Sequence, residues 1–203
     1  MKKTIVLSAL ALGCACALAQ ESKWGFVTAL GWAEGGEELF SGLIVDRSNA
    51  ARTIPFTIKS NGGLQIRLGP EYRFSDRLSV QATIGRSVTD PMGDNGSLTY
   101  TTTPVELMVN FKPTPKIMVG LGARKTYADM QGTGVAANYP ILGSFDGALG
   151  SVLEFTYLLS ESKEASRSGA TFGLHARFVN EKLQFQQYEL NGDHYELGMT
   201  LRF

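Results

Sequence analysis

The residue types that could do chemistry in this chain recur at even spacing. Arg67, Glu71 and Arg73 share one parity, and so do His175 with Arg177 and Glu196 with Arg202. Glu106, Arg124 and Glu154 take equivalent polar positions in other alternating segments. Side chains two apart on an extended chain share a face, where carboxylates and guanidinium groups can pair through charge-assisted hydrogen bonds. Four Glu against five Arg nearly cancel, so the expected chemistry of this face is ion pairing, with His175 as a hydrogen-bonding member. A metal or other cofactor is not expected, because His175 and His194 stand 19 residues apart without the clustered spacing of a ligand set. A serine nucleophile needs a base within hydrogen-bond reach and an acid to orient it. His194 follows Asp193 but has no evident serine partner, and it reads as a rim residue.

Strands must position these residues. Tyr195, Leu197, Met199, Leu201 and Phe203 alternate with His194, Glu196, Gly198, Thr200 and Arg202, which makes one face wholly apolar. Leu64, Ile66, Leu68, Tyr72 and Phe74 lead through the turn Ser75-Asp76-Arg77 into Leu78, Val80, Ala82, Ile84 and Val88. A second hairpin joins Val105, Leu107, Val109 and Phe111 to Ile117, Val119, Leu121 and Ala123 across two prolines. A third joins Leu149, Leu153, Phe155, Tyr157 and Leu159 to Phe172, Leu174, Ala176 and Phe178 across the polar stretch Ser160 to Ser168. With Trp24, Phe26, Leu30 and Trp32 on the first, the segments number eight. Short connections at one end alternate with long ones at the other, 34–63, 89–97, 127–146 and 180–193.

The 203 residues carry 19 Lys and Arg against 19 Asp and Glu, scattered along the chain, which leaves no electrostatic footprint for nucleic acid. Lys2 and Lys3, an apolar run to Ala15 and the site Ala17-Leu18-Ala19 read as a secretory signal peptide, residues 1–19, ahead of one domain over residues 20–203. Cleavage there removes Cys14 and Cys16, and with them any disulfide or thiolate site. Ala11-Leu12-Gly13-Cys14 approximates a lipobox, but Ala11 stands where leucine is usual, and the A-x-A site is preferred. No later stretch reaches the ~18 consecutive apolar residues of a membrane helix. Two closures fit eight alternating strands: a transmembrane barrel with its apolar face outward, or a soluble lipocalin-like barrel with that face inward. Few lysines stand on the polar face, whereas solvated sheet faces favour them, and the enclosed arrangement fits better.

The terminal Phe203, with Tyr195, Leu197, Met199 and Leu201 alternating before it, resembles the carboxy-terminal assembly signal of bacterial outer-membrane barrels. With the leader and the eight alternating segments, the chain resembles small outer-membrane β-barrels of the OmpA membrane-domain and OmpW type. That resemblance implies an all-β, eight-stranded, antiparallel up-and-down transmembrane barrel in the bacterial outer membrane, both chain ends periplasmic. It also implies lipid and lipopolysaccharide as neighbours and the barrel assembly machinery as a partner. Trp24, Phe74, Phe111, Tyr157 and Phe203 are expected in the periplasmic aromatic girdle and Trp32 in the outer one. Some such barrels modify lipid A; in the deacylase family His and Ser stand two residues apart on one strand, and here Arg177 takes that place after His175. The lumen is therefore expected to be closed by Arg67, Glu71, Arg73, Glu106, Arg124, Glu154, His175, Arg177, Glu196 and Arg202, those on neighbouring strands paired, in a structural or surface-interaction protein. A narrow path for small or apolar solutes is the second reading. Residues 34–63 and 127–146 are too apolar for freely solvated loops; hairpin extension is expected, with a joint apolar cap or an adhesive, ligand-binding surface as the alternatives. Arg86 and Lys125, at the outer edge of the apolar face, could pair with lipopolysaccharide phosphates.

Overall fold

The computed structural model describes residues 23–203 apart from 47–48, 91, 94–95 and 160–169. The expected leader, residues 1–19, and the connection Ser160 to Ser168 lie outside the described residues. Eight strands form the barrel: β1 (Trp24–Gly35), β2 (Gly63–Arg73), β3 (Leu78–Thr89), β4 (Gly96–Thr114), β5 (Ile117–Gly134), β6 (Gly150–Leu158), β7 (Thr171–Asn180) and β8 (His194–Arg202). Each pairs antiparallel with the next. β1 also pairs with β8, Leu30 opposite Met199, so the sheet closes on itself and leaves no barrel edge unpaired.

The outward face of the barrel is apolar along every strand. Leu30, Ile66, Ile84, Leu107, Leu121, Leu153, Leu174 and Leu197 are all exposed, while their sequence neighbours Gly31, Arg67, Glu106, Glu154, His175 and Glu196 are buried. Apolar-out, polar-in alternation suits a bilayer, where the surroundings of the barrel are hydrocarbon. Trp24, Tyr72 and Phe74 stack edge to face in a row at the short-turn end, with centroids 5.0 and 4.9 Å apart, and Phe111 and Tyr157 are exposed at the same end. Trp32 faces outward at the opposite end. Phe203 departs from the expected girdle: it is only 6 % exposed. It lies one residue past β8, where alternation no longer sets its face, and its backbone is held against Phe26 by reciprocal hydrogen bonds of 3.3 and 2.9 Å.

β4 and β5 overrun the expected length, at 19 and 18 residues. Their polarity inverts partway. Val105, Leu107, Val109 and Phe111 point outward on the membrane half of β4, yet further up the outward positions are Thr99, Thr101 and Thr103, and Leu98 and Tyr100 are buried. β5 does the same, with Asp129 and Gln131 outward and Ala128 and Met130 inward. β-branched threonines keep the chain extended, and a ribbon leaving the bilayer must turn its polar face to water. Strands 143–147, 182–185 and 188–191 continue this sheet from β5. A separate hairpin, Glu38–Asp46 with Asn49–Lys59, packs on it.

The long connections at this end are therefore mostly strand, and 34–63 and 127–146 build one joint cap. Its core is Ile58, Leu98, Tyr100, Ala128, Met130, Ala136 and Phe145, with Leu39, Phe40, Phe56, Tyr139, Ile141 and Leu142 packed around it. Tyr127, read from sequence as a loop residue, instead lies within β5 and faces outward. The side chains of Ile44, Val45 and Ile54 lie outside the described residues.

Candidate functional site

The lumen of the barrel is filled by charge. Arg67 on β2 donates Nη2 to Glu196 on β8 at 2.7 Å and Nη1 to Glu106 on β4 at 3.4 Å. Arg177 on β7 donates to Glu196 at 2.8 Å and to Glu106 at 2.7 Å, with Glu154 on β6 within 3.1 Å of its Nε. Arg124 on β5 donates to Glu106 at 2.9 Å. These side chains are all buried, and isolated charges there would be costly; shared contacts with opposite charges offset that cost. His175 lies with Nε2 3.2 Å from Glu196 and 3.3 Å from Arg67, able to donate to the first or accept from the second.

The pairing runs across the barrel as well as along it. Arg177 with Glu154 and Glu196, and Arg124 with Glu106, join neighbouring strands. Arg67, however, reaches Glu106, Glu196 and, at 3.8 Å, Glu154, none of them on a strand next to β2. The reason is the inward face of β1, which between β2 and β8 presents only Gly25, Val27, Ala29, Gly31 and Ala33. A Cβ on Gly31 would stand 2.4 Å from Glu196 Oε1, so the missing side chain is what lets the carboxylate lie against the wall and meet Arg67.

Below this layer, toward the short turns, Glu71 accepts from Arg202 Nη1 and from Ser79 at 2.7 Å, and Arg202 Nη2 donates to Gln81 at 3.1 Å. Arg73 is a correction to the enclosed set: its side chain is 39 % exposed, at the rim, with Nε 3.5 Å from Glu71 and Nη2 donating to the Phe203 carbonyl oxygen at 2.6 Å. The strand ends there, and its guanidinium reaches the barrel mouth instead of its core.

Above the central layer lies a cluster that the sequence reading missed. Glu181 is fully enclosed, 3.1 Å from Arg124 Nε, and accepts from Thr126 at 2.7 Å and from Asn61 at 3.0 Å. It continues the parity of Arg177 and Val179, the one signal that could have found it. His194, expected at the rim, is buried instead, with Nδ1 2.8 Å from the Gly192 carbonyl oxygen and 4.0 Å from the enclosed Glu181. With Glu181, five glutamates face five arginines, Arg73 included. Neither histidine has a serine hydroxyl within hydrogen-bond distance among the described residues, and no group of three or more His, Cys, Asp and Glu there could hold a metal ion.

A closed antiparallel barrel with an apolar outer band and a lumen filled by paired charges defines a membrane barrel of the outer-membrane class. The chain belongs to the outer membrane protein beta-barrel domain family, whose profile matches residues 5–203. Among solved structures it is similar to Ail, the attachment invasion locus protein of Yersinia pestis, crystallised with the heparin analogue sucrose octasulfate. The two share 9 % identity and a TM-score of 0.56 over 89 % of this chain and 97 % of Ail. Neisserial surface protein A aligns at 13 % identity and a TM-score of 0.47, over 89 % of this chain and 96 % of that protein. OprG from Pseudomonas aeruginosa aligns at 14 % and 0.42, over 88 % and 95 %. At such identities the likeness to Ail is one of fold. No curated protein matches the chain by sequence.

Proposed function

We propose that this protein is a closed, non-enzymatic barrel that holds a folded β cap at the cell surface, with a structural or surface-interaction role. The observation that carries this reading is the ion network joining β2, β4, β5, β6, β7 and β8 across the lumen. A narrow barrel whose interior is occupied by side chains has no continuous water column. Short turns and both strand termini at one end support a periplasmic orientation for that end, with the cap extracellular. The cap is the surface available to a ligand, and the sucrose octasulfate complex of Ail shows that a barrel of this fold can carry one. Arg86 and Lys125 face outward at the upper edge of the apolar band and fit outer-leaflet lipopolysaccharide phosphates. The terminal alternation Tyr195, Leu197, Met199, Leu201 and Phe203 is the part the barrel assembly machinery would read.

Planar-bilayer recording tests the closed lumen. The wild type is expected to give at most small, infrequent events, and Glu154→Gln to raise them by removing one of the three carboxylates around Arg177. A large steady wild-type conductance, unchanged by Glu154→Gln and by Arg177→Gln, would refute closure and promote the solute path.

A further inference from the structure

At the short-turn end the barrel opens into a cavity of about 730 Å³. Lys23, Arg73, Arg77, Lys112 and Arg202 line it, against the carboxylates of Glu71 and Asp76. Glu71 is already shared by Arg202 and Arg73. Lys23, Arg77 and Lys112 have no carboxylate partner among the described residues.

The backbone brings these cations together in twos. The Lys23 carbonyl accepts from Arg73 N–H at 2.7 Å, and the Arg77 carbonyl accepts from Lys112 N–H at 2.8 Å, so two cationic couples stand next to each other along the β1–β4 rim of the mouth. The floor is built from buried side chains. Arg202 uses Nη1 and Nη2 on Glu71 and Gln81, and its Nε has no hydrogen-bond partner; the Asn110 Oδ1 atom is likewise unpartnered.

We infer that this vestibule binds a compact solute carrying two or more phosphate or carboxylate groups. A concave wall with an excess of one sign, here five cations against two carboxylates, focuses its field into the space it encloses and raises the local concentration of counter-charged solutes. Guanidinium and ammonium groups spread along the rim from β8 through β1 and β2 to β4 match a molecule with more than one anionic group. The volume lies in the range of small-molecule sites. The ion network above makes the vestibule blind, so the solute is held there and does not pass through. The inference needs no conductance in either direction.

Isothermal titration of the full chain, refolded in detergent micelles at low salt, tests it with tripolyphosphate and citrate as probes. Saturable binding of one probe per barrel is expected, weakened about ten-fold in the double variant Arg77→Gln/Lys112→Gln. Lys182→Gln, on an exposed strand of the cap at the opposite end, should leave it unchanged. Tighter binding of tripolyphosphate assigns a phosphate ligand, tighter binding of citrate a carboxylate one. Both substituted residues lie at the open mouth, and retained heat-modifiable gel mobility confirms that the variants are folded. Failure of both probes to bind overturns the inference. So does binding that survives in the double variant or falls equally in Lys182→Gln.

Discussion

Glu106→Gln should be among the most damaging single-charge changes in the lumen. Its carboxylate lies 2.9 Å from Arg124, 2.7 Å from Arg177 and 3.4 Å from Arg67, and it accepts from Thr83 at 3.3 Å. Glutamine keeps the shape and one acceptor, so what is lost is the charge shared by three arginines. A unit pair at ~4 Å and an effective dielectric near 20 is worth about 4 kcal/mol, and repulsion among the arginines and desolvation offset part of that sum. Removing one partner of a buried pair typically destabilises by about 3 to 5 kcal/mol. Glu154 makes one close ion contact, 3.1 Å from Arg177, and accepts from Thr156 at 2.9 Å, while its other arginines lie at 3.8 and 4.0 Å. For Glu154→Gln the loss should resemble that of one charged hydrogen bond, about 1.5 to 3 kcal/mol. Urea unfolding of the barrel in phospholipid vesicles, followed by tryptophan emission and heat-modifiable mobility, ranks the two. Glu189→Gln, which breaks the solvent-exposed contact with Lys182, serves as the control and should leave the midpoint in place. The reasoning fails if Glu106→Gln unfolds with the wild type, or if it loses no more than Glu154→Gln.

Other expectations come from packing and from the chain end. A Cβ on Gly69 would stand 1.9 Å from the carbonyl oxygen of Ala82, whose backbone is paired with Leu107 on β4, so Gly69→Ala should abolish refolding into vesicles. Gly31→Ala meets a movable carboxylate at 2.4 Å instead and should refold with a lowered urea midpoint. Phe145→Ala, at the centre of the cap, should speed proteolytic cleavage within residues 127–146 while the barrel keeps its heat-modifiable mobility. Deleting Phe203 should reduce the fraction of folded barrel in the outer membrane, as cell fractionation would show. Lipopolysaccharide in vesicles with the purified protein should keep its acyl chains; fatty-acid release lost in His175→Ala or His194→Ala would refute the non-enzymatic reading.

The membrane half of the fold was legible because a bilayer imposes one rule on every strand, apolar residues out and small or charged ones in. That rule recovers the eight strands and places Arg67, Glu71, Glu106, Arg124, Glu154, His175, Arg177, Glu196 and Arg202 inside. It fails above Thr103, where water replaces lipid and the rule changes sign. Leu98, Tyr100 and Met130 continue the same period of two with the opposite polarity, so a reading keyed to apolar-out positions ends β4 and β5 too early. Glu181 was lost for the same reason, since Val179 and Leu183 flank it on the inward parity of a segment read as loop. Partners across the lumen were not legible at all. Period places Arg67 on the inner face, but only the absence of side-chain bulk on β1 determines that it meets Glu196 and not a neighbour.

The ion network and the apolar band together fix strand register in a way neither does alone. Slipping β2, β4, β6 or β8 by one residue would turn a glutamate into lipid and a leucine or isoleucine into the lumen. A charge facing the bilayer midplane costs up to a few kcal/mol, and the arginines left behind would lose their counter-charges at the same time. β1 carries no inward charge and is held differently. Its inward residues are small, and its outward face carries Trp24, Leu30 and Trp32. A slip would drive those large side chains against Glu196, which already lies within 2.4 Å of where a Gly31 Cβ would be. β3 also has no inward charge, and its Ser79, Gln81 and Thr83 supply hydrogen bonds to Glu71, Arg202 and Glu106 instead. Register is thus specified by charge on six strands, by size on β1 and by hydrogen bonding on β3. Closing the barrel between β1 and β8 joins the strand fixed by size to one fixed by charge, at the one seam where Leu30 and Met199 must find each other across the length of the chain.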